Sequence, residues 1–385
     1  MDFAIPEEFK KDIQRFRTFL NTHVTSHLST WQREGQIPLD FFRAVGEGGW
    51  SGFEERNGVL SPHSALREAL IAEELGAISP GVAIAVLAHM DLGFMGLYLF
   101  GSDELKKTYG GAAIRGERLM CVGNTENIAG SDVAGIAMTA EESESGWYLN
   151  GTKAYVTNGY IADLAVITAV TDPEASRTGR ISMFLVDLNS DGVQRTKLNK
   201  QVWIPSDLTR LQFKNVFVPK DHMLGERGRG IQQVLTVFTR SRVPISALTL
   251  GTARGAFESG LTHARKRNIF GRPIVEYQAK AFEAADFYAR MEAARLMVWK
   301  VCEAADRGED FRKEAAMAKY LSVEVAREVS LWAADLFGAV SVMADHPIHK
   351  FPMDAWGSSL GEGTQDVQKL VIFRELMKNF SNEKF

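Results

Sequence analysis

Two short runs, Ala165-Val166-Ile167-Thr168-Ala169-Val170 and Ser182-Met183-Phe184-Leu185-Val186, decide how this chain folds. Both are apolar and suit a pleated strand, and only the polar segment from Asp172 to Gly179 separates them. Gly146-Trp147-Tyr148-Leu149-Asn150-Gly151 adds a strand-like run ending in a turn, and Leu211 to Phe217 alternates apolar with polar. No helix-length pattern intervenes between about 118 and 222, so this region is expected to be an antiparallel sheet or barrel rather than a Rossmann unit.

On either side the period changes to that of helices. Phe9, Ile13, Phe16 and Leu20 recur at three- and four-residue spacing, and Leu66 to Leu75 repeats the pattern. Val82 to Phe100 is apolar nearly all round, which predicts a buried helix carrying His89, Met90 and Asp91. Beyond residue 226, the stretches Ile231 to Phe238, Leu248 to Lys266, Tyr277 to Ala305 and Glu314 to Phe337 have the lengths of bundle helices. The expected α+β layout is an N-terminal helical domain (1–117), a central β-barrel-like domain (118–222) and a C-terminal four-helix-bundle domain (223–385).

Composition narrows the function. With 385 residues, 45% hydrophobic and 24% charged, the chain can bury a substantial core, and its net charge of −4 gives no reason to expect nucleic-acid binding. Cys121 and Cys302 lack metal or disulfide-framework spacing, the N-terminus has no signal-type apolar core, and no run reaches the roughly 18 apolar residues of a membrane span. A cytoplasmic, reduced protein is expected.

The chemistry centres on Leu360-Gly361-Glu362-Gly363-Thr364-Gln365-Asp366. Glycines let backbone approach a ligand closely, so the carboxylate between them can reach into a cleft; alternatively it is a solvated acid at a helix start. The stretch resembles the Tyr-Glu-Gly-Thr signature of the acyl-CoA dehydrogenase family, with Gly361 in place of the aromatic residue. The resemblance implies that Glu362 removes the proton alpha to a thioester carbonyl while FAD accepts a hydride from the beta carbon. It also implies a carbonyl polarised by the Glu362 N–H and a flavin ribityl hydroxyl, and an electron-transferring flavoprotein as acceptor. Thr364 and Asp366 fall on the cofactor side, Gly361 and Gly363 on the substrate side.

Other segments carry the same resemblance. Asn124 to Asp132 is similar to Thr-Glu-Pro-x-Ala-Gly-Ser-Asp, which would set Val122, Asn124 and Thr125 on the flavin and Ser131 on a flavin phosphate or the pantetheine arm. Lys153 to Gly159 is similar to Lys-x-Trp-Ile-Thr-Asn, making Tyr155 a shield for the flavin and Thr157 a neighbour of its N5. Phe238-Thr239-Arg240-Ser241-Arg242 occupies a segment ending in an arginine that helps place CoA; on its residues alone, Arg242 reads as a solvated helix arginine. Arg267 to Gln278 is similar to Arg-x-x-Phe-Gly-x-x-Ile-x-x-x-Gln, through which Arg267, Phe270 and Gln278 would reach the FAD of a neighbouring subunit in a homotetramer, a dimer of dimers. Asp335 to Val342 keeps only Gly338 of its counterpart, and Asp335 and Asp366 replace glutamines, so altered FAD contacts are expected.

Two departures bear on the substrate. Gly361 is expected to open room for branching or a ring beside the base, and Asp91 could bind a polar group or act as a second base. Both resemble dehydrogenases of cyclohexane- and cyclohexenecarboxyl-CoA. An acyl-CoA oxidase, a desulfinase of the same fold, and a non-catalytic acyl-CoA-binding protein are the alternatives.

Overall fold

The computed structural model describes residues 5–381. The N-terminal region holds α1 (Glu7–Leu20), α2 (Leu28–Glu34), α3 (Leu39–Glu47), a hairpin of β1 (Phe53–Arg56) and β2 (Val59–Pro62), then α4 (Ala65–Ile78), α5 (Pro80–Leu87), α6 (Met95–Phe100) and α7 (Asp103–Ile114). A π-helical segment, Ala88–Phe94, joins α5 to α6 without a break. The resulting rod, Pro80–Phe100, is long and apolar enough to cross a membrane, contrary to the expectation that no run qualifies. Here 78% of its most apolar window is buried inside the protein, so the core plays the part that lipid would. The rod lies so close to the sheet that a Cβ on Gly93 would come within 2.6 Å of the Cys121 nitrogen.

The sheet comprises β3 (Met120–Gly123), β4 (Thr139–Glu142), β5 (Gly146–Thr157), β6 (Leu164–Val170), β7 (Ile181–Asp187), β8 (Val193–Lys197), β9 (Leu208–Pro219) and β10 (Met223–Leu224). Its order is β10-β7-β6-β4-β5-β9-β8, with β3 also beside β6. The two runs that opened the reading pair antiparallel from Leu164↔Asp187 to Val170↔Ile181. The sheet is nonetheless mixed, and among the described residues its end strands β10 and β8 do not pair to close a barrel. β3 runs parallel to β6 over Leu164 to Ile167, and β4 meets the same edge in parallel at Thr139↔Val170. Alternation of side chains reports which face a residue takes, not which way its neighbour runs. Because β3 and β4 share one edge of β6, the chain between them, 124–138, is thrown out of the sheet as a loop.

The C-terminal region begins with α8 (Gly230–Lys266), a single 37-residue helix through Pro244 where the sequence suggested two shorter stripes. A short hairpin of β11 (Asn268–Ile269) and β12 (Arg272–Pro273) leads to α9 (Gln278–Asp306), α10 (Arg312–Phe337), α11 (Lys350–Ser358) and α12 (Gln365–Ser381). α10 is central, packed against each of the other four helices. An ion network ties the two helical regions together: Arg17 of α1 grips Glu74 of α4 at 2.8 Å, and Arg295 of α9 reaches Glu73 at the same distance. Arg254 of α8 bridges both acids.

Candidate active site

Glu362 sits in the turn between α11 and α12, where the backbone is left-handed at Glu362 (φ 55°) and at Gly363 (φ 89°). A side chain pays a steric cost there, so the turn must be held by its surroundings. Two groups hold it. Gln368 of α12 donates from Nε2 to the carbonyls of Glu362 (3.1 Å) and Gly363 (2.9 Å). Lys319, fully buried in α10, donates from Nζ to Gly361 O at 2.5 Å and to Gly363 O. The Glu362 N–H itself has no partner among the described residues.

The carboxylate is unevenly satisfied. Ser241 of α8 donates its hydroxyl to Oε2, whereas Oε1 is shielded from solvent and has no partner. Burial raises the pKa of Glu362 above the usual carboxylate range, while the Ser241 hydroxyl and the charges of Lys319 and Arg242 pull it back. Arg242 is therefore not a solvated helix arginine: it is buried near Glu362, and among the described residues its Nε has no partner and its one hydrogen bond goes to Thr239 Oγ1 at 3.4 Å. Phe238 and Thr239 are half-buried one turn earlier, and Thr239 donates to Leu235 O. Thr364 Oγ1 accepts from Val367 N at 3.3 Å, so its hydroxyl starts α12.

The room expected at Gly361 is partly filled. A Cβ built there would meet Cη2 of Trp203 at 3.4 Å, and one on Gly357 would meet the same indole at 3.2 Å. Trp203 comes from the β8–β9 connection, where its N–H donates to Asp354 at 2.6 Å and Lys200 grips its carbonyl. An aromatic side chain is thus present beside Gly361 after all, delivered from the sheet region. Nothing local in the sequence marks this, because the partners are over 150 residues apart.

Asp91, on the π-helical segment, faces a small, mainly apolar cavity of about 50 Å³, walled by Phe16, Phe41, Trp50, Pro244 and Leu248. Glu68 is the other acid on its lining. Burial, then the negative charges of Glu68 and Glu362, push the Asp91 carboxyl well above its ordinary range, which favours its neutral form. This removes the cost of an unpaired buried charge.

On the sheet, the 124–138 loop is pinned from beneath. Lys153 of β5, wholly buried, donates to Glu126 Oε1 at 2.8 Å and to Asn124 O at 3.1 Å. Glu126 also accepts from Ala137 N and Met138 N, and Asn124 Oδ1 accepts from Thr168. Asn124 thus spends its side chain inward. Thr125 O accepts from Ala154 N at 2.8 Å, which draws the loop to a bulge in β5 where Tyr155 takes φ 56° and stands 60% exposed. Thr157 lies two residues on, on the same face of the strand. The side chains of Thr125, Ser131, Tyr155 and Thr157 make no hydrogen bond among the described residues. An exposed ring beside unspent hydroxyls suits a flat, polar-edged cofactor such as a flavin.

Val122 is half-buried at the end of β3. Arg267, Phe270 and Gln278 are not brought to this patch as part of the base site; they are exposed around the β11–β12 hairpin, with Phe270 97% exposed at φ 46°. Asp335, Gly338 and Asp366 are, like them, at the surface or half-exposed around helix ends.

The bundle thus closes on a shielded carboxylate, and the sheet carries hydroxyls that make no hydrogen bond among the described residues. Three domain families match in succession: acyl-CoA dehydrogenase N-terminal domain over 6–117, middle domain over 121–216 and C-terminal domain over 228–377. The chain belongs to the acyl-CoA dehydrogenase family. It is similar to the probable acyl-CoA dehydrogenase YngJ of Bacillus subtilis, with 30% identity over 98% of this chain and 100% of that protein. Among solved structures, butyryl-CoA dehydrogenase from Megasphaera elsdenii aligns with a TM-score of 0.93 at 28% identity, over 98% of this chain and 100% of that one. PigA with FAD and proline aligns with the same TM-score and coverage at 27% identity.

Proposed function

We propose that this enzyme dehydrogenates an acyl-CoA thioester, with Glu362 as the base that takes the alpha proton. The observation that carries the reading is the division of labour on the carboxylate: Oε2 is held by Ser241, while Oε1 is desolvated and free. A carboxylate in that state combines a raised proton affinity with a fixed aim, which an acidified C–H requires. The Glu362 N–H, also unspent, is placed to polarise the thioester carbonyl. Arg242 adds positive charge beside the forming enolate.

FAD, held by the Thr125, Ser131, Tyr155 and Thr157 face, would supply the hydride acceptor, as the FAD in the similar PigA structure supports. Arg267, Phe270 and Gln278 would complete its binding from a second copy in a homotetramer. Exposed Phe282, Tyr288, Leu331 and Val342 on the bundle favour such an assembly. Electrons would leave through an electron-transferring flavoprotein.

For the substrate we favour a branched or alicyclic acyl group such as cyclohexane- or cyclohexenecarboxyl-CoA. An Asp91 carboxyl whose neutral form is favoured, in a cavity walled mainly by apolar residues, supports this, since it can donate a hydrogen bond to a polar or unsaturated ring without placing a charge against it. The test is an anaerobic visible spectrum of the purified protein titrated with butyryl-, octanoyl-, cyclohexanecarboxyl- and cyclohex-1-enecarboxyl-CoA, repeated with Asp91→Asn. A flavin spectrum bleached fastest by an alicyclic thioester, and slowed in Asp91→Asn for that thioester alone, is the expected result. Faster bleaching by octanoyl-CoA would overturn the substrate; bleaching by none would overturn the activity.

A further inference from the structure

We infer that Lys319 is a positioning residue for the base: from α10 its ammonium grips the two carbonyls that flank Glu362, at Gly361 and Gly363, and sets a positive charge beside the carboxylate. The inference builds on the reading of Glu362 as the base.

A lysine is costly at this position. Around it, the buried face of α10 carries Ala315, Ala316, Ala318, Ser322, Val323 and Ala326, small or apolar residues that pack without desolvating a charge. An ammonium there needs its N–H groups satisfied, and the carbonyls on either side of the base satisfy two of them. Among the described residues Lys319 forms no ion pair at contact distance, so its role is not that of an ordinary structural salt bridge. Instead the same side chain fixes a left-handed turn and lends the nearby acid a counter-charge across it.

The groups around Glu362 come from four elements: Ser241 and Arg242 from α8, Lys319 from α10, Asp91 from the π-helical segment and the neutral Gln368 from α12. Burial lowers the Lys319 ammonium to about 7, the Glu362 charge opposes that, and Arg242 reinforces it. The two groups therefore favour each other's charged forms. In the free enzyme this keeps Glu362 ready to accept a proton despite its burial. Gln368 tethers the same turn without bringing a charge, which makes it the natural control.

The experiment follows flavin reduction by the best thioester in a stopped-flow instrument from about pH 5 to 9, for wild type, Lys319→Met and Gln368→Leu. Lys319→Met is expected to keep its flavin absorbance, to slow reduction at least about tenfold, and to move the acid limb of the profile up by about one unit, because the carboxylate loses its counter-charge. Gln368→Leu is expected to slow reduction with the acid limb in place. An acid limb in Lys319→Met that coincides with wild type, or a rate that falls only in proportion to lost flavin, would overturn the inference. If Lys319→Met does not fold, lysine-selective ¹³C NMR of wild type and Glu362→Gln carries the test. The Lys319 signal should titrate about one unit lower in Glu362→Gln, and an unmoved titration sinks the idea. A wild type that no thioester reduces would remove the activity, while the NMR comparison would still read the Lys319–Glu362 link.

Discussion

The chain buries two pairs of glutamate and lysine and treats them in opposite ways. In the sheet, Lys153 contacts Glu126 directly at 2.8 Å, and both carboxylate oxygens are occupied, by the ammonium and by the N–H groups of Ala137 and Met138. In the bundle, Lys319 is spent on the backbone around Glu362, and one oxygen of that acid is left without a partner. A fully bonded buried acid is structure, because every lone pair is already engaged. A buried acid with an unengaged oxygen holds unrealised bonding capacity, and that capacity is what a substrate proton can use. The residue types are the same; the difference lies in where the lysine's hydrogen bonds go.

The comparison can be broken most sharply at Glu362. Glu362→Gln should lower the rate of flavin reduction by about 10³-fold or more and leave flavin content and melting temperature close to wild type. A comparable loss of stability would show that this acid, too, is structural. Next in size, Lys153→Met should leave Glu126 buried without its cation and cost about 3–5 kcal/mol in denaturant unfolding, together with weakened flavin retention as the 124–138 loop loses its pin. If Lys153→Met instead melted normally and lost only rate, the sheet pair would belong with the catalytic one. The smallest change is Ser241→Ala, which frees Oε2 as well. Without the hydroxyl, Glu362 is a stronger base in a less ionised state, so activity should fall as pH falls from a higher point than in wild type, with a rate loss of about tenfold at neutral pH. A pH profile identical to wild type would mean that Ser241 does not govern the carboxylate.

Much of this was legible in the sequence, and what was not has physical reasons. The helix–sheet–helix order followed from periodicity alone, whereas the Gly-Glu-Gly residues alone left open whether Glu362 is a solvated acid or reaches into a cleft; the structure buries it. The parallel pairings of β3 and β4 with β6 were not legible, since strand direction leaves no trace in side-chain alternation. Trp203 escaped because its meeting with Gly361 depends on tertiary placement. Lys319 left a signal that can be recognised: a lysine occupying a slot on the otherwise small and apolar stripe of α10. Arg242 left a similar one, at a helix position flanked by the buried Ser241 and Val243. A charged residue on a core stripe is the mark that separates such groups from solvated ones.

The rod from Pro80 to Phe100 has a consequence for how the chain is made. Its lengthwise neighbour in the folded protein is α8, which begins at Gly230, so about 130 more residues must be synthesised before that helix starts to emerge. At roughly 5–20 residues per second, the segment spends on the order of ten seconds outside the ribosome without its principal cover. During that interval the 21-residue helix resembles a nascent transmembrane segment in length and mean hydropathy. His89 and Asp91 interrupt its hydrophobicity near the middle, and in the nascent chain those two polar groups weigh against insertion before the fold has found its own use for them.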